Sequence, residues 1–180
     1  KYLLVGLAGT AVLLPLFWFV LAPYQKQRVI TFLEPTSDPL GAGYNSLQST
    51  IAVGSGRLFG TGLGKGIQTQ LAFLPEKQTD FIFAATAEEL GLIGASIILL
   101  VSFVILFRLT HIMENAVSSA ARAYISGFFL IYLVQIFVHV GMNMGMLPIT
   151  GVPFPLLSAG GSSLLATMSG LGIALGAYKR

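Results

Sequence analysis

The sequence predicts an all-α, polytopic membrane bundle, and three observations carry that reading. Of 180 residues, 54% are apolar and only 9% charged, where soluble domains carry about 25% charged residues; mean hydropathy is +0.81. Four stretches, residues 2–21, 81–107, 123–146 and 162–178, approach the ~20 helical residues that cross a ~30 Å hydrocarbon core. Between the first two lies a long loop, residues 23–79, that is patterned rather than low in complexity. The expectation is therefore a single membrane domain over residues 1–180, with about four transmembrane helices and a long extracytoplasmic loop.

The first stretch is too long for the apolar region of a signal peptide and has no small-residue cleavage site after it, so it reads as a span. Pro15 is tolerable there, because neighbouring helices re-satisfy the freed carbonyl. The chain begins at Lys1 without a methionine, which suggests a piece of a longer protein. Within the loop, Tyr44, Leu47 and Ile51 fall on one stripe at helical spacing, as in a short helix lying at a membrane interface. "GSGRLFGTGLGKG" follows, with six glycines between Gly54 and Gly66. Pro75 ends any preceding helix, Thr79 is of N-cap type, and the apolar run starts at Phe81, which puts Asp80 in the first turn of the second span. The third span carries Gln135, His139 and Asn143 four residues apart, one polar stripe that must face the bundle interior. Pro153 and Pro155 then impose an extended approach to the last helix, led in by Ser158, Gly160, Gly161, Ser162 and Ser163.

Charge sets orientation and excludes some partners. Lys1, Arg108, Arg122, Lys179 and Arg180 lie at one end of the spans, and by the positive-inside rule that end is cytoplasmic. The net charge of +3 includes no basic cluster with interleaved aromatics, so no nucleic-acid surface is expected. With no cysteine there is neither a disulfide framework nor a thiol nucleophile.

The chemistry concentrates in "FLPEKQTDFIFAATAEELG". Asp80 is expected at the outer interface, where the helix dipole and desolvation pull its ionisation in opposite directions. Glu88 and Glu89 follow roughly 12 to 14 Å deeper at 1.5 Å per residue, in the apolar core, where a charge costs roughly 3 kcal/mol or more. Glu88 lies about 80° from Asp80 around the helix and Glu89 about 180°, so Glu88 is the better candidate to share a cavity with Asp80. The glycine-rich stretch has the composition of a phosphate cradle without the GK[ST] ending, yet could bring backbone N–H groups and Arg57 or Lys65 to an anion. No His/Asp/Glu set has metal-ligand spacing.

The succession "DPLGAGYNSLQSTIAVGSG", "FLPEKQTDFIFAATAEELG" and "GMLPITGVPFPLLSAGGSS" resembles the SEDS family of shape, elongation, division and sporulation proteins, over residues 27–179. "EPTSDPLGAGY" and the loop ending "FLPE" look like its rod-shape (RodA) branch rather than its division (FtsW) branch. Family members have about ten spans, so this chain resembles their C-terminal portion. The resemblance implies a bacterial inner-membrane peptidoglycan glycosyltransferase that polymerises lipid II for cell shape and wall growth, working with a class B penicillin-binding protein. It makes Asp80, of the TDF motif, the catalytic residue. Substrate-binding candidates are Arg57, Lys65, Glu76, Lys77, Gln78, Glu88, Ser158, Gly160, Gly161 and Ser162. A divalent cation (Mg or Mn) is a candidate helper, and no organic cofactor is expected. Gln78 stands where the family commonly has His, Ala159 where it has an aromatic residue, and His139 where it has Asn. The competing readings are a lipid II flippase, lined by Glu88, Glu89, Gln135 and His139, and a non-catalytic scaffold for the penicillin-binding protein.

Overall fold

The computed structural model describes residues 18–38, 41–71 and 73–178. The expected first span, with Lys1, Lys179 and Arg180, therefore lies almost wholly outside the described residues. Within them the elements are α1 (Pro23–Leu33), a 3-10 turn (Pro35–Ser37), α2 (Ala42–Ser55), α3 (Ile67–Gln70), α4 (Ile82–Glu114), α5 (Ser119–Asn143) and α6 (Gly161–Gly176). An isolated bridge, Ala116 with Tyr178, is the one strand-like pairing among them. The protein is an all-α membrane bundle.

Helix α4 is the axis. Its 33 residues leave helical geometry once, at Gly91, and the unbroken stretch from Leu92 to Glu114 alone extends about 35 Å at 1.5 Å per residue, beyond a ~30 Å core. Its large exposed apolar side chains begin at Leu90 and end at Phe107, a band about 27 Å tall at 1.5 Å per residue. Residues 82–89 stand above that band and are wrapped by the loop elements, with Phe83, Ala84, Ala85, Ala87 and Glu88 buried. Glu88 is thus enclosed by protein instead of facing hydrocarbon, and Glu89, half-buried at the same level, lies beside it, a correction to the expectation that both lie deep in the apolar core.

Helix α5 starts at the Ser118 cap, whose hydroxyl accepts from the Ala121 N–H at 3.2 Å. It stops at Asn143, three residues short of the expected 146, because Gly145 takes φ 71. The Gly145 N–H donates to Met142 O and the Met146 N–H to Gly141 O, a Schellman ending that satisfies the last carbonyls. Both α4 and α5 are long and apolar enough to cross a membrane; α6, at 16 residues, is shorter.

Helix α2 forms where the loop stripe suggested, but the opposite face is buried. Gly43, Ser49 and Ala52 pack inward, while Leu47 and Ile51 are exposed. Small residues allow close approach of α2 to α4, and a Cβ on Gly56 would collide with the Ala87 carbonyl. One apolar cluster, Ala52, Leu74, Phe81, Ala84 and Ala85, fastens the loop to the top of α4. A second, including Phe83, Tyr132, Ile136 and Phe154, joins α4, α5 and the segment before α6. Leu109, Ile112, Ile125 and Ala174 close the far end.

Candidate active site

Asp80 is held by its backbone and left free at its carboxylate. The chain turns tightly at Glu76, which takes φ 52; its carbonyl accepts from the N–H groups of Thr79 (3.1 Å), Asp80 (3.1 Å) and Phe81 (3.2 Å). Helix α4 starts only at Ile82, with Phe81 at its cap and no capping side chain of its own. Asp80 thus precedes the helix rather than occupying its first turn, and Thr79 bonds back to the Glu76 carboxylate at 3.1 Å. The cap comes instead from another helix. Asn143, fully buried in α5, accepts from the Ala84 N–H at 3.1 Å and donates to the Asp80 carbonyl at 3.0 Å and the His139 carbonyl at 2.8 Å. Ser49 of α2 donates to the Asn143 carbonyl at 2.9 Å. One side chain therefore ties α2, α4 and α5 together under Asp80.

Two other parts of the chain flank the carboxyl, the segment 149–151 and α1. Gly151, at φ 72, leaves room there: a Cβ on it would lie 3.5 Å from Asp80 Oδ2. Arg28 of α1 donates to the Ile149 carbonyl at 3.1 Å and is within electrostatic reach of Asp80. Among the described residues no hydrogen-bond donor engages the Asp80 carboxylate. Burial, and then the Glu76 charge, push its pKa above the usual carboxylate value, while Arg28 pulls it back in part. Such a group is a better base than a solvated carboxylate.

The other sequence-predicted residues are placed elsewhere. Glu88 is buried and turns to α3, accepting from the Gln68 N–H at 2.8 Å, the Thr69 N–H at 2.9 Å and the Thr69 hydroxyl. It holds structure together rather than sharing a cavity with Asp80. Lys77 Nζ donates to the Thr69 carbonyl at 2.6 Å. With Gln78, Thr86 and Glu89, Lys77 lines a groove of about 370 Å³ beside α4. Arg57 lies at the level of Leu92, whose N–H its carbonyl accepts, about 12 Å or more along α4 from the Asp80 end at 1.5 Å per residue; Lys65 is exposed farther along the same loop. The glycine-rich stretch is no phosphate cradle, since its N–H groups at Gly60, Thr61 and Gly62 already bond to Gly56, Glu88 and Glu89 carbonyls. His139 bonds the Val152 carbonyl at 2.8 Å, and Gln135 is half-buried.

At the start of α6, Ser158 is a pin. Its hydroxyl donates to the Thr79 carbonyl at 2.9 Å and accepts from the Phe154 N–H at 2.8 Å. The Ala159 N–H donates to the Gln78 carbonyl at 2.8 Å. These bonds seat the α6 N-terminus, with Gly161 and Ser162 exposed, against the turn that carries Asp80. Its first N–H groups have no partner within the helix and favour anions. No group of three His, Cys, Asp or Glu side chains converges among the described residues, so the donors present do not form a metal site on their own.

The profile of the FtsW/RodA/SpoVE family, described as cell cycle proteins, matches residues 1–179. The chain belongs to this family. It is 49% identical over 175 residues to the peptidoglycan glycosyltransferase MrdB of Escherichia coli, covering 96% of this chain and 47% of the relative. It is 41% identical to stage V sporulation protein E of Bacillus subtilis, covering 96% and 45%. Against a chain of a solved peptidoglycan synthase complex that coordinates polymerization and crosslinking, the TM-score is 0.72 at 34% identity, over 97% of this chain and 47% of that one. The chain thus spans about half the length of the family members it matches. The resemblance read from its three motifs is borne out, and so is the integral membrane character.

Arg28 and Asn143 are the site residues that sequence reasoning missed. Asn143 had a signal, its place on the polar stripe of α5. Arg28 had none, because only the packing of α1 against residues 148–149 brings it toward Asp80.

Proposed function

We propose that this chain carries the catalytic carboxylate of a peptidoglycan glycosyltransferase that polymerises lipid II, with Asp80 as general base. The observation that carries the reading is an uncommitted, partly desolvated carboxylate on a rigid turn. Its height supports the reading. Along α4, Asp80 stands about 12 Å beyond the apolar band that starts at Leu90, past a headgroup layer of roughly 5 to 7 Å. A sugar attached through a diphosphate to a membrane lipid presents its hydroxyls at about that height.

In the proposed step the Asp80 carboxylate takes the proton from the acceptor sugar hydroxyl as that oxygen attacks the anomeric carbon of the donor. A carbon–oxygen bond forms, the bond to the diphosphate breaks with inversion, and the lipid diphosphate leaves with the electron pair. Arg28 and the free N–H groups at Gly161 and Ser162 are groups beside the turn that favour an anion. No step is assigned to a cation. The loop side is read as extracytoplasmic, and a class B penicillin-binding protein as the partner that cross-links the product.

The test is polymerisation of fluorescent lipid II by the full-length protein purified with a transpeptidase-dead partner, read as glycan ladders on a gel. The parent is expected to give polymer and Asp80→Asn none. Equal ladders from both would place the base elsewhere. Lipid translocation with no polymer from either would favour the flippase, and partner binding with neither activity would favour the scaffold.

A further inference from the structure

Helix α4 is interrupted in an unusual way. At Gly91 the backbone leaves the helical region, with φ 68 and ψ −167, and the glycine-rich stretch fills the break. The N–H groups of Leu92 and Ile93 donate to the carbonyls of Arg57 and Leu58, and those of Thr61 and Gly62 donate to the carbonyls of Glu88 and Glu89. Backbone meets backbone: a Cβ on Gly60 would strike the Glu89 carbonyl, and one on Gly91 the Gly60 N–H. At the break itself loop and helix pair each other's backbone, the condition under which irregular backbone is tolerated at membrane depth, while the Leu63, Gly64 and Gly66 N–H groups farther along have no backbone partner among the described residues.

The side chains of the same stretch point the other way. Phe59 is 79% exposed, Leu63 74%, Ile67 63% and Leu58 56%. We propose that residues 56–71 form a re-entrant membrane element, with Leu58, Phe59, Leu63 and Ile67 among the acyl chains of the leaflet on the Asp80 side. The bonds to Leu92 and Ile93 set its depth, since these two residues belong to the apolar band of α4 that starts at Leu90. The exposed apolar loop residues continue that band sideways.

Lipid fits this face better than another helix does. Helix–helix contacts in membranes favour small residues, and two of the small residues here, Gly56 and Gly60, are turned inward against α4, while Gly64 is exposed beside Leu63. What faces out is large, apolar and flanked by exposed Arg57 and Lys65, whose long stems can reach the lipid phosphates while lying along apolar surface. The two cations first considered as substrate ligands thereby acquire a different anion, the lipid headgroup. The element braces the top of α4 at a fixed height beneath Asp80, and the proposal does not depend on what reaction Asp80 performs.

Depth measurement by spin labelling decides it. Full-length protein, with other cysteines replaced, would carry a nitroxide at Phe59→Cys or Leu63→Cys in phosphatidylethanolamine/phosphatidylglycerol vesicles, with Ile97→Cys on α4 as the lipid-facing control and Ser162→Cys as the water-facing one. Phe59 and Leu63 are expected to match Ile97, with frequent collision with oxygen and little with a water-soluble nickel chelate. Nickel accessibility like that of Ser162 would place the loop in water. Low access to both reagents would mean that protein covers it, and either result would overturn the proposal.

Discussion

Asp80 is set by its neighbours in two separable ways, and each predicts a measurement. Burial and the Glu76 charge raise its pKa, and Arg28 lowers it, while a carboxylate in the proposed role of general base must be ionised to act. The acid limb of the pH–rate profile is therefore expected above the usual carboxylate range. Glu76→Gln removes a repelling charge, so ionisation becomes easier and the limb moves to lower pH; Arg28→Gln moves it to higher pH. Unmoved limbs in both variants would detach Asp80 from the rate. Asn143 governs position rather than charge. Asn143→Ala strips partners from the Ala84 N–H and the Asp80 carbonyl, each costing about 1–3 kcal/mol when left unpaired. A clearly lower melting temperature in detergent is expected, with a fall in turnover greater than in lipid II binding.

At the scale of elements, the break in α4 is the feature with most at stake. Gly91→Ala adds a Cβ where φ is positive and the loop backbone presses close, so destabilisation of more than about 1 kcal/mol is expected. Gly172→Ala on α6 is the opposite case, since a Cβ there meets nothing within 4 Å; helix propensity predicts a gain of roughly 0.5–1 kcal/mol. Thermal unfolding of the two variants should move in opposite directions. The same element shows where sequence pattern stops being informative. Apolar runs located α4, α5 and α6, because lipid imposes length and composition directly. The glycine-rich stretch looked like an anion cradle since glycine marks any close backbone approach, and nothing local says whether the partner is a phosphate or a helix. Glu88 was misplaced for a related reason: a carboxylate in an apolar run reads as buried in lipid unless the folded loop around it is known. The motif around Asp80 was legible, whereas Arg28 enters through contacts distant in sequence.

Taken as a whole, the molecule places a rigid turn at the loop-side end of its longest helix. Packing of α1, α2 and residues 148–160 around that end leaves one carboxylate open, at the height where a lipid-linked sugar would stand. Turnover and binding separate the two things that such a carboxylate could do there. The deciding measurement compares full-length parent and Asp80→Asn for lipid II affinity in nanodiscs and for single-turnover glycan extension. Affinity within a few-fold of the parent, with extension slowed at least ~100-fold, is the expected result for a lost general base. Extension at the parental rate, or a loss of affinity large enough to account for the slower rate, would contradict it.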